Sequence, residues 1–295
     1  MANPAPASSL QQLSDALSEV VADVAKSVVA VHSTHSRSSG FVWRPGLIVT
    51  ADEALAEEGE ISLVSPSGET AAATLVGRDP TTDIALLRAD DVNAPAVPLQ
   101  SMSLRAGALA LAVGARSNAP IAAFGAVSFV GPAWRSLRGG EIDGRVELDL
   151  SLRRAGEGGL ALDVSGRAFG MVVFGPRRTV LVIPAATIER VAGKLQTHGR
   201  IARGYLGLGL QAANLDGDGG IGAMVMSVDP TGPGSAAGVR QGDLIVNWNG
   251  GRIRDVRTLL RALGPESVGQ TVKLSLSRGG EAIEVTLTIG ERPES

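Results

Sequence analysis

Carboxylates and backbone amides, not thiols, must carry any chemistry in this 295-residue chain, which contains no cysteine. Thiolate catalysis, Cys-based zinc sites and disulfides are excluded together. Three histidines, His32, His35 and His198, are the available bases of near-neutral pKa. The first two lie on one short apolar segment and its loop, and the third in the polar stretch T-H-G-R-I-A-R-G at 197–204. The acids sit in more distinctive strings: V-T-A-D-E-A-L at 49–55, G-R-D-P-T-T-D-I-A-L-L at 77–87 and A-G-E-G-G at 155–159. Acyl transfer needs a nucleophile, a base within hydrogen-bond reach and donors aimed at the developing oxyanion. Glutamate, with a reference pKa of about 4.3, is a base about two units weaker than histidine.

Short Val- and Leu-rich runs broken by Gly and Pro position these strings. They include S-V-V-A-V-H-S, F-V-W-R, G-L-I-V-T, I-S-L-V-S, A-A-T-L-V-G and D-I-A-L-L-R. Further runs fall near 108–114, 121–130, 145–150, 160–164, 168–174 and 179–183. That density of short strands is an all-β signature, consistent with two packed barrels. Ahead of them Leu13, Leu17, Val20, Val21, Val24 and Val28 recur at helical spacing. After them Ala185, Ile188, Val191, Ala192 and Leu195 form one face of a helix over 184–196. Residues 1–11 read as a disordered lead-in, 12–196 as the first domain, 197–203 as a linker and 204–292 as a second, smaller domain. The net charge of −3 argues against a nucleic-acid partner. No stretch reaches the roughly 20 apolar residues of a membrane span. Met1–Leu10 lacks the basic and apolar regions of a secretory signal. The expected location is therefore cytoplasmic as written, or periplasmic if a leader has been trimmed.

Residues 12–196 resemble the HtrA/Deg family of trypsin-like serine proteases. The likeness rests on the S-V-V strand at 27–29, the Gly-bearing strand pair at 38–50, the Asp83 string and the Gly158-Gly159 pair. It implies a trypsin-like double β-barrel. It also implies that Glu53 occupies the family's histidine position, Asp83 its aspartate position and Glu157 its serine position. Ala155 and Gly156 stand where the family has Gly-Asn, which bears on the oxyanion hole. Loss of base and nucleophile lowers turnover by about 10⁶ in subtilisin, so a catalytically inactive pseudoprotease is expected. If the fold is kept, Glu53, Asp83 and Glu157 converge with Asp52 nearby, and at least one acid should have a raised pKa. Such a cluster could bind a hard cation or act as an acid/base pair. It could also be a drifted site in which Glu157 pairs with Arg153 or Arg154 or turns to solvent. The flanks show no other ligand pattern, so neither a metal nor a cofactor is expected. Around the site, 172–181 reads as a short basic hairpin and 131–144 as a long loop carrying Trp134.

Residues 203–292 resemble the PDZ domains that follow HtrA proteases, which makes the second domain a small α+β unit. R-G-Y-L-G-L-G-L at 203–210 matches the family's carboxylate-binding loop and peptide-pairing strand. The implied contacts are Tyr205, Leu206, Gly207, Leu208, Gly209 and Leu210, with Val256, Leu260 and Leu263 from a following helix that Asp255 would cap; Tyr205 is read more as a packing residue. Gly238, Gly242, Asp243 and Gly250 fall at the family's turns. The expected partners are protein C-termini or extended peptides, with an active homologue as a further candidate. HtrA relatives usually trimerise through N-terminal aromatics; none precedes Phe41, which leaves oligomerisation open and puts a trimer in doubt. A peptide-binding scaffold or regulator is therefore the expected function; a residual hydrolase and an assembly subunit are the alternatives.

Overall fold

The computed structural model describes residues 8–34, 36–57, 59–214, 221–253 and 256–293. Asp255 and His35 lie outside them. Two compact units divide the chain: one extends to Ser136 and resumes at Glu141–Arg200, and the other comprises Leu137–Gly140 and Ile201 onward.

The first unit opens with helix α1, Ser9–Val24, whose Ser8 side chain accepts the Gln11 N–H at its N-terminus. The helix thus begins inside the expected lead-in of 1–11, because a serine cap lets it start three residues early. Val28 follows the helical spacing in sequence but starts strand β1, Val28–Ser33. Strands β2 (Ser36–Arg44), β3 (Leu47–Thr50), β4 (Ile61–Val64), β5 (Thr70–Asp79) and β6 (Ile84–Arg88) close with β1 into a barrel of order β1-β2-β3-β6-β5-β4. Its core includes Val29, Val31, Val42, Ile48, Leu63, Ala85 and Leu87. Such small β-branched and aliphatic residues fill a narrow barrel without aromatics.

Strands β7 (Leu109–Arg116) and β8 (Ala119–Gly131) begin the second barrel. The expected 131–144 loop instead folds a small sheet, β9 (Trp134–Arg135) against β10 (Glu141–Ile142), with Arg135 opposite Glu141. Strands β11 (Arg145–Asp149), β12 (Leu160–Asp163), β13 (Ala168–Phe174) and β14 (Val180–Pro184) complete the order β11-β14-β13-β12-β7-β8. Helix α2, Ala185–His198, buries Ile188, Val191, Ala192 and Leu195, the face expected from sequence. It runs two residues into the expected linker and ends where Gly199 adopts φ +71 and donates its N–H to Leu195 O.

The second unit pairs β15 (Gly204–Tyr205) with β22 (Gly290–Glu291) beside a larger sheet. That sheet has the order β16 (Leu208–Asn214), β17 (Ile221–Val228), β18 (Leu244–Trp248), β20 (Thr271–Arg278), β21 (Glu281–Thr288), with β19 (Gly251–Arg252) off β18. The short helices α3 (Pro233–Ala236) and α4 (Val256–Ala262) complete it. Gly238, Gly242 and Gly250 all have positive φ, as the turn reading requires. Asp243, only 1 % exposed, accepts Nε and Nη2 of Arg278 at 2.7 and 2.8 Å and the Arg240 N–H at 2.8 Å. Those donors hold its carboxyl below the usual range, Arg278 foremost. Asp243→Ala leaves a half-buried guanidinium without its partner, so it should destabilise this unit by about 2–3 kcal/mol. Native-state hydrogen exchange reads that as β18 and β20 amides exchanging about 30- to 150-fold faster, with β2 amides unchanged.

Candidate functional site

The acid string at 77–87 is a positioning device in which nearly every polar residue has a partner. Asp79, buried at the end of β5, accepts the Thr81 N–H at 3.1 Å and the Thr81 and Thr82 hydroxyls at 2.6 and 2.8 Å. This Asx-type closure fixes the tight turn that leads into β6. At its end Asp83 adopts φ +57, a left-handed conformation that Asp tolerates better than most residues. Arg78 reaches back to the buried Asp52 carboxylate and donates to the Asp52 carbonyl at 3.2 Å, which anchors the segment carrying Glu53. The Glu53 N–H then donates to Asp83 Oδ1 at 2.7 Å. The Glu53 side chain is exposed, while Asp83 is partly buried.

Glu157 is held from the other barrel. Ser39, fully buried on β2, donates its hydroxyl to Ala155 O at 2.6 Å and accepts the Ala115 N–H at 2.8 Å. Its own N–H donates to Glu157 O at 2.8 Å, and its carbonyl accepts the Thr50 hydroxyl at 2.7 Å. Gly158, with φ +81, leaves no room for a side chain: a Cβ would run into the Ser39 carbonyl. The Glu157 carboxylate is buried, with 6 % of the residue exposed, and accepts the Phe174 N–H. It does not turn to solvent, and it feels the positive charge of Arg154.

The three acids form one electrostatic unit. Burial pushes the Asp83 carboxyl up to about 8, and the charges of Glu53, Glu157 and Asp52 add to that rise against the Glu53 N–H. Burial also raises Glu157, with Glu53 repelling it and the Phe174 N–H and Arg154 opposing. Among the described residues, no group of three or more His, Asp or Glu is arranged to hold a metal ion. The two described histidines lie elsewhere: His32 on β1, lowered by burial and by Arg37, and His198 at the end of α2.

The backbone before Glu157 is equally committed. Arg154–Gly156 forms a 3₁₀ turn in which Gly156 N–H donates to Arg153 O at 2.8 Å and Glu157 N–H to Arg154 O at 3.1 Å. Gly158 N–H donates to Val172 O at 2.8 Å. Donors already bonded inside a turn are not aimed at an outside oxyanion. The roles of Ser39, Thr50, Arg78 and Asp79 do not emerge from the sequence reading. Their only signals are a polar Ser-Ser pair inside an apolar strand and the D-P-T-T turn chemistry.

In the second unit a cavity of about 320 Å³ is lined by Tyr205, Leu206, Gly207, Leu208, Leu210, Leu260 and Leu263, with Arg203 and Arg292 at its edge. Gly207, at φ +70, bends the loop, and its carbonyl and that of Leu206 accept the Asp229 and Gly234 N–H groups. Strand β16 is the sheet edge. Of the remaining expected contacts, Gly209 is packed against Ser227 and Val256 against the core beside Leu259. The helical stripe therefore divides, with Leu259 in the core and the exposed Leu260 on the groove. Tyr205 both lines the groove and donates its hydroxyl to Asp229 at 2.8 Å.

A double six-stranded barrel followed by a peptide-groove domain is the architecture of trypsin-like proteases fused to PDZ domains. Residues 38–171 match the trypsin-like peptidase domain family and 204–289 the PDZ domain family. The two matches, in that order along the chain, support its resemblance to the HtrA/Deg family. A probable periplasmic serine endoprotease DegP-like of Bartonella henselae is 28 % identical over 272 residues, covering 87 % of this chain and 53 % of the relative. Its namesake from Halomonas elongata is 29 % identical over 281 residues, covering 90 % and 59 %. The chain thus spans a little over half the length of these curated relatives. Among solved structures, the serine endoprotease from Yersinia pestis superimposes with a TM-score of 0.71 at 26 % identity, covering 98 % of this chain and 100 % of that one. The HtrA-type protease AlgW with decapeptide gives 0.70 at 23 % identity, covering 95 % and 99 %.

Proposed function

We propose that this chain is a catalytically inactive HtrA-like protein that works by binding peptide tails in its PDZ groove, as a scaffold or regulator. The observation that carries the reading is the state of the acyl-transfer centre. Its base and nucleophile positions hold Glu53 and Glu157, and the Glu157 N–H is engaged by Arg154 O within its own turn. A buried carboxylate bonded to Phe174 N–H offers little as a nucleophile. The neighbouring Asp83, raised to about 8, holds a proton near neutrality. The groove keeps what peptide capture needs: an edge strand for β-augmentation and leucines for an apolar terminal side chain.

The expected ligand is an extended peptide ending in an apolar residue. Purified protein should leave an unfolded casein intact while enriching apolar C-termini from a peptide library. Leu208→Glu, which places a charge in the groove, should weaken the best peptide at least about 30-fold, a loss of about 2 kcal/mol. Robust casein hydrolysis would remove the pseudoprotease reading. Absence of enrichment, or enrichment unaltered in Leu208→Glu, would remove the groove from the function.

A further inference from the structure

The second barrel carries a cavity that the peptidase-like centre does not use. It encloses about 320 Å³ between β7, β8 and the segment preceding Glu157. Ala112, Ile121 and Leu152 give it apolar walls, and Arg116, Arg153 and Ser151 supply its polar edge. Among the described residues, no acidic side chain lines it. Neither guanidinium has a hydrogen bond or ion pair to protein among the described residues. Two guanidinium groups contributed from separate segments, 116 on β7 and 153 before the 3₁₀ turn, thus border one small half-open cavity of mixed polar and apolar lining, with no protein counter-charge among the described residues. An arginine fork matches a carboxylate in two parallel hydrogen bonds, and a chamber of this size suits a short chain.

We propose that this cavity binds a small aliphatic carboxylate, with the carboxylate between Arg116 and Arg153 and the chain against Ile121 and Leu152. Charge complementarity selects the anion, and the alanine and leucine walls select a hydrocarbon tail over a fully hydrated ion such as phosphate. Binding there bears on Glu157 through two contacts. The Arg153 carbonyl accepts the Gly156 N–H, and Leu152 packs so close to Gly156 that a Cβ there would stand 2.8 Å from its Cδ1. Gly156 in turn lies against Gly114 on the cavity floor, where a Cβ on Gly114 would stand 2.9 Å from Gly156 Cα.

The test is an NMR titration of the full chain carrying Leu208→Glu, so that the PDZ groove does not capture the probe. Hexanoate should give saturable shifts at the Gly114, Ala122 and Gly156 amides and a smaller one at Phe174. Hexanol, hexylammonium and inorganic phosphate should each bind at least about tenfold more weakly. Arg116→Ala with Arg153→Ala should weaken hexanoate by at least the same factor. Both side chains are exposed, and an otherwise unchanged amide spectrum would show that the double variant is folded. Equal binding of hexanol would make the chamber merely apolar, and equal binding of phosphate would make it a general anion site. Unsaturable hexanoate shifts, or affinity unchanged in the double arginine variant, would likewise overturn the proposal.

Discussion

Asp83→Asn should stabilise the protein at neutral and alkaline pH by about 2–4 kcal/mol and flatten the dependence of stability on pH. The native carboxyl, raised to about 8 from the ordinary aspartate value of 3.8, keeps a proton that the unfolded chain releases above pH ~4. Between those values the native state binds more protons than the unfolded state, so the Asp83 contribution falls as pH rises and levels off above about 8. A shift of about four units sets a ceiling of roughly 5–6 kcal/mol. Proton sharing with Glu53 and Glu157 and local hydration bring the realised gain below it. Asparagine is neutral throughout, keeps an oxygen to accept the Glu53 N–H and tolerates the left-handed φ of +57. Urea melts from pH 4 to pH 9 on both proteins give the difference directly. It should be small at pH 4, grow to pH 8 and then hold. His32, whose pKa is lowered, contributes equally to both and cancels. Parallel curves would show that Asp83 is ionised in the native state and that the three acids do not form one unit.

What made the fold legible was the rhythm of the strands. Val28–Val31 and Leu47–Thr50 are buried along their whole length, and residues such as these have few other places to go. The PDZ glycines announced turns that only positive φ satisfies, at Gly238, Gly242 and Gly250. Paired two-residue strands such as β9 and β10 have no such rhythm. A sheet held by Trp134 opposite Ile142 and Arg135 opposite Glu141 therefore reads as loop. Boundaries failed for a related reason. Ser8 and Gly199 fix the ends of α1 and α2 through single hydrogen bonds, which a hydrophobic pattern does not encode.

The site divides along the same line. Glu53, Asp83 and Glu157 could be named because each stands in a local string, and their nearness follows from a fold that the strings imply. Their proton balance could not be read, because it depends on how completely two barrels exclude water from Asp83. Ser39 escaped notice for the same cause. Its hydroxyl matters only once Ala155, 116 residues away in the chain, presents a carbonyl to it. Arg116 and Arg153 are likewise unremarkable surface arginines until one cavity joins them.

Restoring the family's base and nucleophile with Glu53→His and Glu157→Ser should not restore a protease. Removing two acids eases the repulsion on Asp83 and lowers its pKa, which helps it orient the new imidazole. The oxyanion donors remain misdirected, because the 3₁₀ turn holds residue 157's N–H on Arg154 O, and Ser39 fixes the Ala155 carbonyl. Loss of one such donor lowers turnover by about 10²–10³. The double variant should therefore cleave a fluorogenic peptide about 10²–10³-fold more slowly than one that also carries Ala155→Gly and Gly156→Asn. In the fourfold variant the family's Gly-Asn supplies the backbone freedom to turn those amides outward. An asparagine side chain at 156 must displace only the flexible ends of Leu152 and Ile121. Equal rates in the two variants would mean that the turn reorganises once a serine occupies 157. The proposed inactivity would then reside in the two glutamates alone. A large gap would place it in the backbone as well, so that return to catalysis needs the turn rebuilt together with the side chains.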